Sequence, residues 1–167
     1  MAKQLVLVKL NQDYCDFLRK FDDKVPYNYG KKELRPFVGV LFEMNQCKYF
    51  APLSSPKPKH LKLKNKIDFL KIDKGILGAI NFNNMLPVKS ENIIKLDLKN
   101  KGNTESEMHY LLLLKKQLFW LNRNSDKLYK KSKLLYEKYV SGNLSPNIAS
   151  RCCNFPLLEK KCNEYHN

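Results

Sequence analysis

The sequence predicts an α+β domain: a small sheet or barrel of short strands, followed late in the chain by a long helical hairpin. Three observations carry this. Short runs rich in β-branched and aromatic residues, broken by Pro, Gly and Asn, fill the chain up to Gly102. Beyond Gly102 the apolar residues recur at helical spacing. The length of 167 residues and a hydrophobic fraction of 43% suit one domain, 1–167, with one core.

Taken in order, residues 5–10 are apolar with β-branched side chains at 6 and 8, the pattern of a strand. Asn11 is placed to cap a short helix that carries Tyr14, Phe17, Leu18 and Phe21 on one face. The stretch DDKVPYNYGKKEL holds Pro and Gly and reads as a loop. RPFVGVLFEMNQCKYFAPL reads as a hairpin around a polar turn near Asn45 and Gln46, its two apolar arms in the core. Residues 57–74 hold seven lysines and two aspartates interrupted by apolar residues, which suggests an irregular or partly helical segment lying on the core with its lysines outward. GILGAINFNNMLPV supplies one or two short strands and NIIKLDLK another. Thr104 and Glu107 fit a capping box. The helix after it shows apolar positions 108, 111, 112, 118, 119 and 121. A second helix starts near Ser125, with 128, 132, 135, 136 and 139 at helical spacing and Gly142 at its end.

The charge narrows the function. Thirty-one Lys and Arg against sixteen Asp and Glu give +15 and a pI of about 9.6. Such an excess repels itself unless a polyanion neutralises it, and nucleic acid is the usual one. No run reaches the roughly 18 apolar residues of a membrane span, and the start of the chain has no signal-peptide pattern. The expected location is the cytoplasm, where the five cysteines are reduced thiols. Cys152, Cys153, Cys162 and His166 match no zinc framework. Nucleotide-binding glycine motifs and H-E-x-x-H are absent, and Asp22-Asp23 is the one tight carboxylate pair. No metal and no cofactor is implied.

Cleaving RNA needs neither, because the ribose 2′-OH is a built-in nucleophile. The protein must align the phosphate, stabilise its extra negative charge and move protons. YFAPLSSPKPKH offers the means: Ser54 and Ser55 to bind phosphate oxygens, Lys57, Lys59 and Arg35 to supply charge, and His60, whose imidazole titrates in the useful range. A serine is a poor general base, so positioning or relay is the better role for it. Tyr29 and a lysine of lowered pKa are rival proton carriers. Standing alone, the same loop also reads as a polar exit from a strand, with prolines that stop pairing.

The segments FDDKVP (21–26), RPFVGV (35–40), YFAPLSSPKPKH (49–60), INFNNMLPV (80–88), KKQLFWLNRNSDKL (115–128) and CNFPLLE (153–159) occur in this order. Together they resemble the ToxN/AbiQ family of endoribonuclease toxins from type III toxin–antitoxin systems. The resemblance implies a compact SH3-like β-barrel core of short antiparallel strands, similar to the MazF/Kid type, with added helices. It implies metal-independent, sequence-preferring cleavage of single-stranded RNA to a 2′,3′-cyclic phosphate. The partner it implies is an antitoxin RNA of repeated pseudoknots, cut from a longer transcript by the toxin and closed with it into a cyclic assembly. The role it implies is growth arrest and abortive infection of phage. It points to Ser55 first, then Ser54, Lys57 and Arg35, as catalytic residues, with Tyr29 or Tyr27 as the groove tyrosine. Where some members carry a tyrosine, this chain reads Lys115, which keeps a role in holding phosphate. The expected RNA contacts are Tyr27, Lys31, Lys32, Lys57, Lys59, His60, Lys62, Lys64, Lys115 and Lys116. A non-catalytic RNA-binding protein accounts for the charge equally well but not for the order of the motifs. A membrane-surface protein would need a basic amphipathic helix with an apolar face, which is lacking.

Overall fold

The structure is a computed structural model and describes residues 4–27 and 35–167. Strand β1 (Val6–Leu10) leads into helix α1 (Gln12–Arg19). Asn11 Oδ1 accepts the N–H groups of Asp13 at 2.9 Å and Tyr14 at 3.3 Å, a cap commonly worth about 1 kcal/mol. Tyr14, Cys15 and Leu18 turn inward, as the spacing predicts.

Strands β2 (Phe37–Gly39), β3 (Glu43–Met44) and β4 (Cys47–Ser54) follow. The β3–β4 turn lies at Asn45 (φ 50°) and Gln46 (φ 69°), both left-handed as a two-residue hairpin turn of this twist requires. The eight-residue β4 is the spine of the sheet. Along one edge it pairs with β3 and then β2; along the other it pairs with β7 (Leu86–Val88) and then β6 (Ala79–Asn81). β5 (Phe69–Lys71) lies beyond β6, β1 beyond β2, and β8 (Ile93–Lys95) beyond β1, every pairing antiparallel. The path β5-β6-β4-β2-β1-β8 is open at both ends.

Five further helices are α2 (Pro58–Lys62), α3 (Glu105–Arg123), α4 (Ser125–Ser141), α5 (Pro146–Arg151) and α6 (Phe155–Glu164). Segment 57–74 is thus part helix and part strand, with its lysines largely exposed, as expected. Thr104 Oγ1 accepts the Glu107 N–H at 3.1 Å, while the Glu107 carboxylate reaches the Asn103 N–H at 2.7 Å. Helices α3 and α4 meet at Asn124, and Gly142 (φ 75°) ends α4. α4 buries Leu128, Ser132, Leu135 and Tyr136, in line with its spacing.

The face expected for α3 is corrected. Leu114, Gln117 and Leu121 are buried, while Met108, Leu112 and Phe119 are exposed. Polar groups dock this helix. Gln117 Nε2 donates to Leu77 O at 2.8 Å, and Asn122 Oδ1 accepts the Leu5 N–H at 2.7 Å. An apolar count alone misses such docking points.

The core closes late in the chain. Phe42, Tyr49, Tyr136 and Phe155 form one ring cluster, with Phe42 and Tyr49 stacked at 4.5 Å. The buried Glu159 of α6 accepts from the Tyr49 hydroxyl and from Asn45 Nδ2 at 2.6 Å. Asp22 is also structural: its carboxylate accepts the N–H groups of Lys24 at 3.0 Å and Asn154 at 2.7 Å. All five cysteines are buried free thiols, and burial pushes Cys15 up to about 12.

Candidate active site

The Ser54–His60 loop begins where β4 ends. Leu53 donates to Pro36 O at 3.0 Å, extending the β2–β4 ladder (Phe37 opposite Pro52) past β2. One residue further, Arg35 falls opposite Ser54. On the other side Ser54 pairs with Ala79, and Ala79 pairs with Lys71. The row across the sheet is therefore Arg35, Ser54, Ala79, Lys71, with a long cation at each end and a hydroxyl and a methyl between. Val38, Ala51, Leu53, Ile80 and Leu70 point to the other face; on this one Phe37, Pro52 and Ala79 are buried, and the row reaches solvent at the half-exposed Arg35, Ser54 and Lys71.

Asn81 is two residues along β6 from Ala79, on the same face, and its Nδ2 donates to Ser54 Oγ at 2.9 Å. With Oγ accepting from Asn81, the Ser54 proton is free to point outward as a donor. The Arg35 guanidinium is half-buried and has no hydrogen bond or ion pair among the described residues. Burial lowers its pKa from the usual arginine value.

The segment 72–78 fixes the loop from behind. A Cβ on Gly78 (φ 102°) would come within 2.0 Å of Ser54 O, and one on Gly75 (φ 95°) within 2.5 Å of His60 O. Only glycine allows both the approach and the left-handed backbone. Lys57 is the N-cap of α2, and Pro58 is in its first turn. The Lys57 N–H donates to His60 Nδ1 at 3.1 Å.

That bond corrects one expectation. His60 does not face outward with the lysines; it is 2% exposed, its ring 6.1 Å from that of Phe69. Burial first, then Lys59 and Lys57, push its pKa below the ordinary histidine value, so the neutral ring serves as the acceptor that closes the loop. Its ring holds the loop from within.

Ser55, Lys57, Lys59, Lys62 and Lys64 are exposed, and Ser54 is half-exposed. The neighbouring carboxylate, Asp68, is buried and committed to Arg151 through contacts of 2.5 and 2.8 Å. Tyr27 is exposed, with the Arg19 guanidinium 4.7 Å from its ring centroid. Lys115 and Lys116 are exposed on α3, in a groove reached from Ser54 through Gly78 and Leu77. Tyr29, Lys31 and Lys32 lie outside the described residues. Among the described residues no three His, Cys, Asp or Glu side chains converge in a metal-holding arrangement. No helix among them is long and apolar enough to cross a membrane.

Asn81 and Lys71 join the site unannounced by the sequence. Their place depends on the register of β4, β5 and β6, which no local pattern encodes. The asparagines of INFNNM mark only a break between strands.

Hydroxyls backed by an amide donor and flanked by cations can donate to the oxygens of a phosphodiester, the chemistry a nuclease needs. The comparisons with known proteins agree with that class. The model of the family described as toxin ToxN of type III toxin–antitoxin systems matches residues 6–163. The chain belongs to this family. It is 34% identical over 160 residues to the endoribonuclease ToxN of Bacillus thuringiensis subsp. kurstaki, covering 93% of this chain and 81% of the relative. A solved structure concerned with selective toxin inhibition by a non-coding RNA pseudoknot in bacterial type III systems superposes with a TM-score of 0.81 at 32% identity, covering 98% of each chain. The structure of AbiQ, a lactococcal anti-phage endoribonuclease of the type III class, gives a TM-score of 0.79 at 30% identity, again over 98% of each chain.

Proposed function

We propose that this chain is the toxin of a type III toxin–antitoxin system and that it cleaves single-stranded RNA by a metal-independent route at the Ser54–Ser55 rim. One observation carries the reading: Ser54 Oγ, held by Asn81 at 2.9 Å, lies across from Arg35 where the β2–β4 register continues, next in the chain to the exposed Ser55 and near Lys57 in sequence. In this mechanism the substrate 2′-OH attacks the adjacent phosphorus, and a 2′,3′-cyclic phosphate forms as the 5′-oxygen leaves. Ser54 and Ser55 donate to the non-bridging oxygens and align the attack. Arg35 and Lys57 take up the charge that develops on them. The groove tyrosine, Tyr29 or Tyr27, is the candidate proton carrier.

RNA follows Lys57, Lys59, Lys62 and Lys64, with Lys115 and Lys116 beyond. The same groove serves messenger RNA and the repeat precursor of the antitoxin, whose processed pseudoknot then blocks it within a cyclic assembly. Growth arrest and abortive infection of phage follow when the antitoxin is lost. The setting is cytoplasmic, and residues 1–167 act as one toxin domain. The sheet is read as an SH3-like barrel of the MazF/Kid type, supported by the pairing of β4 on both edges.

The test is cleavage in EDTA of a mixed-sequence RNA and of its 2′-deoxy counterpart, with folded Ser55→Ala alongside. Wild type should cut only the ribose form. Ser55→Ala should lose at least about a hundredfold in rate, as removal of a transition-state donor does, while RNA affinity stays within a few-fold because the cations remain. A wild type that binds RNA in a salt-sensitive way and cuts none would make this a non-catalytic RNA-binding protein.

A further inference from the structure

The sequence leads one to expect Phe119 in the core, yet it is 65% exposed. It lies in an open groove of about 770 Å³ between α3 and the turn after β5. Ile76, 58% exposed, lines the same groove with Leu77 and the half-buried Trp120. Arg123, one turn further along α3, holds its guanidinium 5.6 Å from the centroid of the Phe119 ring. Lys115 and Lys116 stand at the other end, and Asp73 is the single acid in the lining.

We propose that this groove binds one unstacked base of single-stranded RNA, with the base on Phe119 and its flanking phosphates on Lys115, Lys116 and Arg123. The inference rests on the ribonuclease reading of the serine rim and adds to it a second contact that positions the strand.

The chemistry selects this occupant. An exposed ring beside an aliphatic wall asks for a flat apolar partner, and three cations against one carboxylate ask for an anion. A nucleotide supplies both; a neutral peptide supplies only the first. Base–aromatic stacking of this kind accepts any base, and Arg adds a cation–π contribution. The groove is also continuous with the rim. Leu77 lines it, Gly78 touches Ser54 O, and Gln117 Nε2 locks Leu77 O to α3 at 2.8 Å. From Gly78 to Ile76 the chain reaches at most about 7 Å, so a strand leaving Ser54 arrives at Phe119 within a very few nucleotides. A base anchored there fixes the register of the phosphate held at the rim.

The experiment uses the full chain and a short, labelled, mixed-sequence RNA made uncleavable by 2′-O-methylation, with a companion series that is abasic at one position each. Phe119→Ala should weaken binding about tenfold or more, the usual scale for losing a stacked base, and Phe119→Tyr should restore it. At one abasic position the wild type should lose a similar amount, and Phe119→Ala should add nothing further there. Wild-type affinity in Phe119→Ala, or a loss that adds fully at every abasic position, overturns the proposal. So does a change in sedimentation without a change in RNA affinity, which would make the groove a contact between two copies of the chain. Should Phe119→Ala not fold, photocrosslinking of 4-thiouridine RNA to wild type decides: an adduct on Phe119 supports the proposal and adducts only elsewhere refute it. Cleavage of unmodified RNA is followed in parallel. Active wild type with an indifferent Phe119→Ala removes the groove and leaves the ribonuclease; inactive wild type with a binding-defective Phe119→Ala does the reverse.

Discussion

Asn81 donates its amide hydrogen to Ser54 Oγ, and that sets which way the serine can act. With the oxygen engaged from below, the hydroxyl hydrogen has only the outer side to serve. Replacing Asn81 by Ala frees the rotor and lets water compete, so the aligned fraction falls. The expected loss in cleavage rate is roughly ten- to a hundredfold, the scale set by misplacing a positioning group. Ser54→Ala should lose about as much, and the double variant little more, because both changes break one unit. Losses that multiply in single-turnover cleavage would mean that Asn81 acts apart from Ser54. At this scale much was readable. Two hydroxyls, a proline and lysines after a buried strand pointed to the loop directly. The roles of Asn81 and His60 were not readable, since each is defined by a partner: Ser54 on another strand for one, a backbone N–H three residues back for the other.

Helix α2 is one short turn-and-a-half that keeps its place through contacts from outside itself. Gly75 presses on its His60 backbone, Phe69 lies beside the imidazole, and the ring takes the Lys57 N–H. The last contact needs neutral histidine. In the fold its pKa is below the unfolded value of about 6.5. Below that value the unfolded chain binds the proton more readily, so the contribution is complete above about pH 6.5 and is lost as pH falls toward the folded pKa. Urea unfolding should therefore show wild-type stability dropping on acidification through this window. His60→Ala should be less stable at neutral pH and should fall less steeply. Equal pH slopes for the two proteins would remove His60 as the origin. Among the helices, α4 was legible in full because its buried positions keep one period and a glycine ends it. α3 was not, because a glutamine and an asparagine, side chains that composition assigns to solvent, are what seat it.

The whole molecule holds +15, and among the described residues few of its lysines and arginines pair with acids. The lysines from Lys57 to Lys64 are exposed, and the next acid along the chain, Asp68, is paired with Arg151. Affinity for single-stranded RNA should therefore fall with salt at about −0.7 in log–log slope per phosphate neutralised. Converting Lys59, Lys62 and Lys64 together to Gln should flatten that slope by about 2, with the cleavage pattern unchanged. An unaltered slope would place the RNA elsewhere. The double-sided pairing of β4 was out of reach of local patterns, since register joins segments far apart in the chain. The same pairing makes the fold depend on its last helices. Glu159 closes on Tyr49, which is 110 residues earlier, and Asn154 on Asp22, which is 132 residues earlier. Chains emerge from the ribosome from the N-terminus at about 5–20 residues per second. A nascent chain that already displays Ser54 and Ser55 still lacks Phe155 and Glu159, and β4 has no lid over its aromatic cluster. The core around β4 thus closes only once Phe155 and Glu159 of α6 have been made, so the strand that ends in Ser54 gains its final support from the last helix described.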